Sequence, residues 1–109
     1  MNNIENESLK EFIMSCYFIA QITIHNPQKY KLYEEQFDII FQNYNGKVIA
    51  VDDNPTILEG EWRHKRMVVI QFQDEEEAKR WYFSPEYQKI VKYRWEASQA
   101  DIVLITSKE

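Results

Sequence analysis

The apolar positions of this sequence follow two periods, which predict strands and helices in a definite order. Residues 16–24 alternate with the period of a β-strand, and residues 66–72 and 101–106 are rich in branched aliphatic side chains, as buried strands are. A shorter strand is predicted at 47–52. After the first strand, aromatic and aliphatic residues recur at helical spacing. This stripe consists of Tyr30, Tyr33, Phe37, Ile40, Phe41 and Tyr44.

Capping residues mark the ends of the predicted helices. Asn26-Pro27 offers an N-cap followed by a proline at the first helical position. Asn45-Gly46 predicts the end of that helix, with Gly46 in the left-handed conformation of a C-cap. Asp74 is expected to cap a second helix. Ser84-Pro85 interrupts this helix and begins another helical segment that reaches about residue 98.

The order β-α-β-β-α-β predicts an α+β fold of the ferredoxin-like class, in which an antiparallel sheet carries two helices on one face. The length of 109 residues indicates one domain. We assign that domain to residues 14–109 and expect residues 1–13 to form a flexible N-terminal extension. Met14 directly precedes the first strand, so it is an alternative start of the protein.

Both faces of the predicted sheet are apolar. Phe18, Ala20 and Ile22 alternate with Tyr17 and Ile19 along the first strand, and the later strands repeat this pattern. A sheet with one solvated face would show a polar residue at every second position. We therefore predict a homodimer in which the uncovered sheet face packs against a second copy of the chain.

The charge and composition of the chain disfavour some classes of binding partner. A net charge of −5 and an isoelectric point near 5.1 disfavour nucleic acid and anionic membrane surfaces. The basic run 63–66 is flanked by acidic residues, and we interpret it as a solvated loop. The apolar run 13–20 is too short to cross a bilayer, and a single cysteine excludes an intrachain disulfide. We expect a cytoplasmic protein.

Four segments carry a family resemblance: residues 17–20, the Glu59-Gly60-Glu61-Trp62 sequence, residues 66–72, and Trp81 to Tyr87. In order and spacing they resemble the family catalogued as domain of unknown function 1330, of the dimeric α/β-barrel superfamily. The resemblance implies a ferredoxin-like subunit, a dimer, and a ligand cleft between the sheet and the helices. It implies no activity, because relatives in the superfamily include cofactor-independent mono-oxygenases, haem- or chlorite-degrading enzymes and ligand-binding proteins.

With the cleft taken from the resemblance, the sequence supplies candidates to line it. We expect four aromatic side chains to form the walls and two charged side chains to act as polar anchors. The walls are Tyr33, Trp62, Trp81 and Tyr87, and the anchors are Arg94 and Glu59.

Each candidate also has a purely structural interpretation. Arg94 lies on an apolar helical stripe, where an arginine usually pairs with a buried carboxylate or extends its head into solvent. Its functional interpretation is the binding of an anionic or carbonyl-bearing ligand. Trp62 could cover the core instead of lining a pocket, and Glu59 is a weak candidate for a catalytic base. Gly60 predicts a bulge or a close backbone approach. Ser84, Pro85 and Glu86 are explained by the start of a helix alone.

Other kinds of site lack the residues they need. His25 and His64 have no second histidine or cysteine at ligand spacing, so no metal site is predicted. Cys16 has no basic neighbour in sequence that would favour a thiolate. Two glycines are too few for the glycine-rich loops that hold nucleotides. No cofactor is predicted.

Three hypotheses on function remain. The leading one is the binding of a small, partly aromatic or apolar molecule in the cleft of each subunit. The second is a cofactor-independent mono-oxygenase or isomerase, in which Glu59 or a tyrosine moves a proton. The third is a structural dimer, or a partner for another protein, in which every ring belongs to the core.

Overall fold

The computed structural model describes residues 15–108 of the chain. The predicted extension 1–13 and the alternative start at Met14 lie outside the described residues. The elements are β1 (Cys16–Ile24), α1 (Pro27–Phe41), β2 (Gly46–Asp52), β3 (Arg66–Phe72), α2 (Glu75–Tyr82), α3 (Pro85–Ala97) and β4 (Ser98–Thr106). The four strands form one antiparallel sheet in the order β2-β3-β1-β4, which confirms the predicted ferredoxin-like fold. None of the described helices is long and apolar enough to cross a membrane.

The sheet has two distinct faces. We call the face covered by the helices the inner face, where Phe18, Ala20 and Ile22 of β1 are buried. We call the other one the open face; Val103 and Ile105 of β4 lie there, more than half of the surface of Val103 and half of that of Ile105 exposed. The other residues of the open face on β1, β3 and β4 are Tyr17, Ile19, Gln21, Thr23, Met67, Val69, Gln71, Gln99 and Asp101.

Side-chain caps begin the three helices where the sequence predicts. The side chain of Asn26 accepts a hydrogen bond from the Lys29 amide, and that of Asp74 accepts one from the Glu77 amide. Ser84 accepts one from the Tyr87 amide at the start of α3. Each cap satisfies a backbone N–H that has no partner within its helix.

The end of α1 differs from the prediction, because Gly46 is not a left-handed C-cap. The helix ends at Phe41 with Gln42 in a right-handed conformation, and Gly46 is the first residue of β2. A Cβ atom on Gly46 would lie 2.6 Å from Cζ of Phe41 and 2.8 Å from Cε1 of Phe72. Packing against these two buried rings, and not a backbone angle, is what requires glycine here.

Gly60 also differs from its prediction. Its φ of +81° places it in the left-handed region, and a Cβ there would meet nothing within 4 Å. Glycine is required here for a turn in the backbone, and not for a β-bulge or for close contact with another segment. The register irregularity lies in β2, between Val48 and Ala50.

The basic run 63–66 is only in part the solvated loop that the sequence suggests, because Arg63 and Lys65 are exposed but His64 is not. His64 is buried: its Nδ1 lies 2.8 Å from Oγ1 of Thr23 and its Nε2 lies 2.7 Å from Oδ2 of Asp101. Thr23 and Asp101 stand on the open face, so these contacts fasten the β2–β3 connection to that side of the sheet. The Arg66 side chain is also largely buried and pairs with Asp53 and Glu34.

We predict that Gly46→Ala lowers the free energy of unfolding by about 2–3 kcal/mol, because the added methyl group must displace buried rings. Urea denaturation followed by circular dichroism measures this change. Gly60→Ala is the matched control: it adds the same methyl group in open space and should cost only about 1 kcal/mol, for its positive φ. Equal losses in the two variants would contradict the packing explanation.

Candidate functional site

A cavity of about 290 Å³ lies between the inner face of the sheet and the helices. All four strands contribute apolar residues to its walls, including Ala20, Val48, Val68 and Ile102. Such mostly apolar cavities with a few polar groups are typical of small-molecule sites, and this volume is at the lower end of their range.

The polar residues of the cavity separate into an exposed end and a buried end. Glu34 and Asp38 are exposed side chains of α1, and Glu34 accepts a hydrogen bond from the guanidinium of Arg66 at 2.9 Å. Tyr33 and Arg94, by contrast, are 7% and 3% exposed. The arginine beside the exposed acidic residues, Arg66, is paired with a carboxylate. The arginine at the buried end, Arg94, has different surroundings.

Arg94 is a buried cation without a carboxylate partner among the described residues. It forms none of the salt bridges found there, and its Nη2 has no hydrogen-bond partner. Its guanidinium carbon lies 5.8 Å from the centre of the Tyr33 ring, over the ring face. A cation–π contact offsets only part of the cost of taking a guanidinium out of water. Arg94, which is 3% exposed, therefore has neither the buried carboxylate nor the solvent-exposed head that the structural interpretation requires.

The hydroxyl groups of Tyr33 and Tyr87 lie 2.6 Å apart and form a buried hydrogen bond. Burial raises the pKa of Tyr33 well above its ordinary value, although Arg94 acts in the opposite direction. Burial also raises the pKa of Tyr87, while Arg94 and the bond with Tyr33 lower it. Both phenols are thus neutral near pH 7 and act as hydrogen-bond donors and acceptors, not as bases.

The charge of Arg94 persists in spite of its burial. Burial acts to lower the pKa of this guanidinium and its hydrogen bond with Tyr87 acts to raise it, but an arginine side chain stays protonated near pH 7 in either case. The buried end of the cavity is therefore a positively charged site with neutral hydroxyl groups beside it.

Comparison with known proteins identifies the family. The family model for a domain of unknown function (DUF1330) matches residues 15–107. The chain belongs to the DUF1330 family. A comparison with curated proteins finds no significant match.

Solved structures show the same fold at low sequence identity. A protein of unknown function from Rhodopseudomonas palustris is 14% identical with a TM-score of 0.72, over 94% of this chain and 93% of that one. SnoaB, a cofactor-independent oxygenase from Streptomyces nogalater, is 16% identical with a TM-score of 0.62, over 88% and 95%. A dimeric ferredoxin-like protein of unknown function from Thermobifida fusca is 11% identical with a TM-score of 0.57, over 85% and 91%. At such identities the likeness concerns the fold alone.

In this DUF1330 protein, two of the predicted site residues lie on the cavity wall and four do not. Tyr33 and Arg94 line the cavity. Tyr87 is fully buried behind Tyr33, to which it is hydrogen-bonded, and Trp81 is fully buried in the aromatic core.

Trp62 and Glu59 are not among the lining residues. Glu59 is exposed, and Trp62 is partly buried with an indole N–H that has no partner in the described residues. Both belong to the β2–β3 connection, which His64 holds against the open face. This attachment explains why the connection does not reach the cavity on the inner side of the sheet.

Sequence reasoning did not identify the other four polar residues of the cavity wall, although the periods of the chain contain a signal for them. Glu34 and Asp38 follow Tyr30, the first residue of the aromatic stripe of α1, at intervals of four residues, so the three share one helix face. Arg66 shares the alternation of Val68 on β3 and therefore points to the inner face. Two acidic residues on this face of α1, together with an arginine on the inner face of β3, indicate that the space between helix and sheet is partly hydrated here.

Neither the cysteine thiol nor a group of metal-binding side chains adds a reactive centre to the site of this DUF1330 protein. The pKa of the Cys16 thiol is raised, first by burial and then by the nearby carboxylates of Glu75 and Asp74, so it stays protonated. Across residues 15–108, no three histidine, cysteine or acidic side chains form a group that could hold a metal ion.

We predict that Arg94→Met leaves the free energy of unfolding unchanged or raises it by up to about 2 kcal/mol, because it removes a buried charge that lacks a carboxylate. Arg66→Met makes the same change at an arginine paired with Glu34 and Asp53, and should lower the free energy by about 1 kcal/mol. Urea denaturation measures both. A larger loss in Arg94→Met than in Arg66→Met would show that the fold depends on Arg94.

Proposed function

We propose that this protein binds a small, mostly apolar molecule in the cavity between its sheet and helices, with Tyr33 and Arg94 at the buried end of the site. One observation carries the proposal: the wall of an apolar cavity contains a buried guanidinium that has no carboxylate partner in the described chain. A polar group on a bound molecule would supply the hydrogen-bond acceptor that the protein does not.

Catalysis is the second candidate. The structural likeness to a cofactor-independent oxygenase from Streptomyces nogalater supports an oxygenase or isomerase, and such a reaction needs a group that accepts a proton. Tyr33 is neutral near pH 7 because burial raises its pKa, and Glu59 is exposed and away from the cavity. These observations favour binding over the proton transfer that the sequence suggested.

The charge and the cysteine content support proposals on the partners and the cellular compartment of the protein. A net charge of −5 opposes binding to nucleic acid and to anionic membrane surfaces. A buried, protonated thiol at Cys16 suits a reducing compartment, and we propose the cytoplasm.

The binding proposal is tested with neutral aromatic and alicyclic compounds, such as ethylbenzene and cyclohexanol, followed through methyl NMR signals. We expect the signals of Ile22 and Ile102 to shift, with dissociation constants on the order of 1 mM or lower. The signal of Leu58, which is 95% exposed, should not move. No shift of the lining methyl groups with any compound would contradict the proposal.

A cavity-filling variant sharpens this test. Val68→Phe places a ring in the cavity and should abolish the shifts, since it removes the space that the compounds occupy. Ile57→Phe enlarges an exposed side chain in the β2–β3 connection and is the matched control, with binding expected to stay intact. Shifts that survive Val68→Phe would assign the binding to another surface.

We also propose that two copies of the chain associate through the open face. Val103 and Ile105 are at least half exposed there, and Ile19 and Val69 beside them are only partly covered. Aliphatic side chains adjacent to one another on one sheet face are a typical interaction surface. The ferredoxin-like protein from Thermobifida fusca, which is described as dimeric, supports the association of two copies.

Association through the open face predicts that Ile105→Glu yields a folded monomer, because a carboxylate in an apolar interface would lose its hydration. Sedimentation velocity at micromolar concentration measures the change, with circular dichroism to verify the fold. Ile39→Glu introduces the same charge at an exposed position of α1 and should leave the dimer intact. A monomeric parent protein, or a dimer that survives Ile105→Glu, would overturn this proposal.

A further inference from the structure

The buried end of the cavity carries more hydrogen-bond donors than acceptors. Tyr33 and Tyr87 together have two O–H hydrogens, and the bond between them uses one. The hydroxyl that accepts this bond keeps a hydrogen of its own. Arg94 lies beside both phenols but is a donor only, so it cannot accept that hydrogen. One O–H therefore requires a further acceptor whichever phenol donates.

Arg94 adds a second donor that requires an acceptor. Its Nη2 is buried and has no hydrogen-bond partner in the described chain, and the residue is 97% buried next to the cavity, whose wall it forms. Of the two phenols, Tyr33 is the one on the cavity wall. An acceptor in the cavity would favour the arrangement in which Tyr87 donates to Tyr33 and Tyr33 donates into the cavity.

The charges around the cavity limit what that acceptor can be. Arg94 contributes one uncompensated positive charge, whereas Arg66 is neutralised by Glu34 and Asp53. The exposed end also carries the carboxylate of Asp38, which opposes a second negative charge on the bound molecule. One negative charge on two adjacent oxygens matches a guanidinium and a hydroxyl as donors, whereas a dianionic phosphate carries too much charge for this site.

We propose that the cavity takes a monocarboxylate with an apolar body, its carboxylate bound by Arg94 and the Tyr33 hydroxyl and its body against the apolar walls. This inference rests on the proposed binding function and specifies the class of molecule. The exposed end of the cavity, with Glu34 and Asp38, would then face the part of the molecule farthest from the carboxylate.

Three probes with the same phenyl-methylene body test the assignment: phenylacetate, phenylacetamide and ethylbenzene. Their heads are a carboxylate, a neutral amide and a methyl group, and calorimetry and methyl NMR give their affinities for the full chain. We expect phenylacetate to bind at least tenfold more tightly than phenylacetamide, since only the carboxylate brings a charge to the buried guanidinium.

Variants separate the contribution of the charge from that of cavity shape. Arg94→Met should weaken phenylacetate binding at least tenfold and change ethylbenzene binding less than threefold. Tyr33→Phe should weaken phenylacetate binding about threefold to tenfold, for the loss of one donor. Arg80→Met and Tyr44→Phe make the same exchanges at an arginine and a tyrosine that contact each other away from the cavity, and should leave all three affinities unchanged.

The outcomes distinguish this inference from the binding proposal beneath it. Ethylbenzene binding in the cavity, with phenylacetate no tighter than phenylacetamide, would overturn the carboxylate assignment and leave the binding proposal intact. An equal loss for all three probes in Arg94→Met would also overturn the assignment, because Arg94 would then only shape the cavity. Absence of binding by every probe would overturn both. If Arg94→Met does not fold, Tyr33→Phe and Arg94→Gln decide between the same outcomes.

Discussion

The packing of Trp81 is the constraint on which the rest of the structure depends. Its side chain is completely buried, and its ring contacts aromatic rings from the sheet and from all three helices. The centres of these rings lie 4.3–6.0 Å from that of Trp81, and the residues are Phe18, Phe37, Phe41, Phe72, Tyr82 and Tyr87. Edge-to-face and tilted contacts of this kind fix both distance and angle, so the position of Trp81 determines how the helices lie on the sheet.

The break between α2 and α3 holds Trp81 and Tyr87 in one arrangement. The Ser84 hydroxyl donates to the carbonyl of Trp81 and accepts from the amide of Tyr87, which ties both residues to one side chain. Tyr87 in turn bonds to Tyr33 on α1, and the cavity lies beyond that ring, with Phe18 and Phe37 shared between the aromatic core and the cavity wall. The core thus ends where the cavity begins, at the pair of phenols.

The parts of this arrangement that follow from local rules could be predicted from the sequence. The alternation along β1 predicts that strand and its buried face, and the stripe along α1 predicts that helix and its buried face. Ser84 before Pro85 predicts the N-cap of α3. Contacts between distant segments could not be predicted in the same way. Gly46 lies against Phe72, and His64 attaches the β2–β3 connection to the open face. Neither contact produces a periodic pattern in the sequence. For that reason Trp62, on the connection that His64 holds, was expected at the site, and so was Trp81, whose aromatic neighbours come from distant parts of the chain.

Arg94 shows most clearly why the site and the core have different requirements. The chain has 18 acidic residues against 13 lysines and arginines, so carboxylates are abundant. Arg66, which also lines the cavity, has two of them as partners, while Arg94 has none in the described chain. A core that needed only stability would fill this position with an apolar side chain, because a buried charge without a carboxylate costs free energy. The retention of a guanidinium here is therefore better explained by what enters the cavity than by what surrounds it.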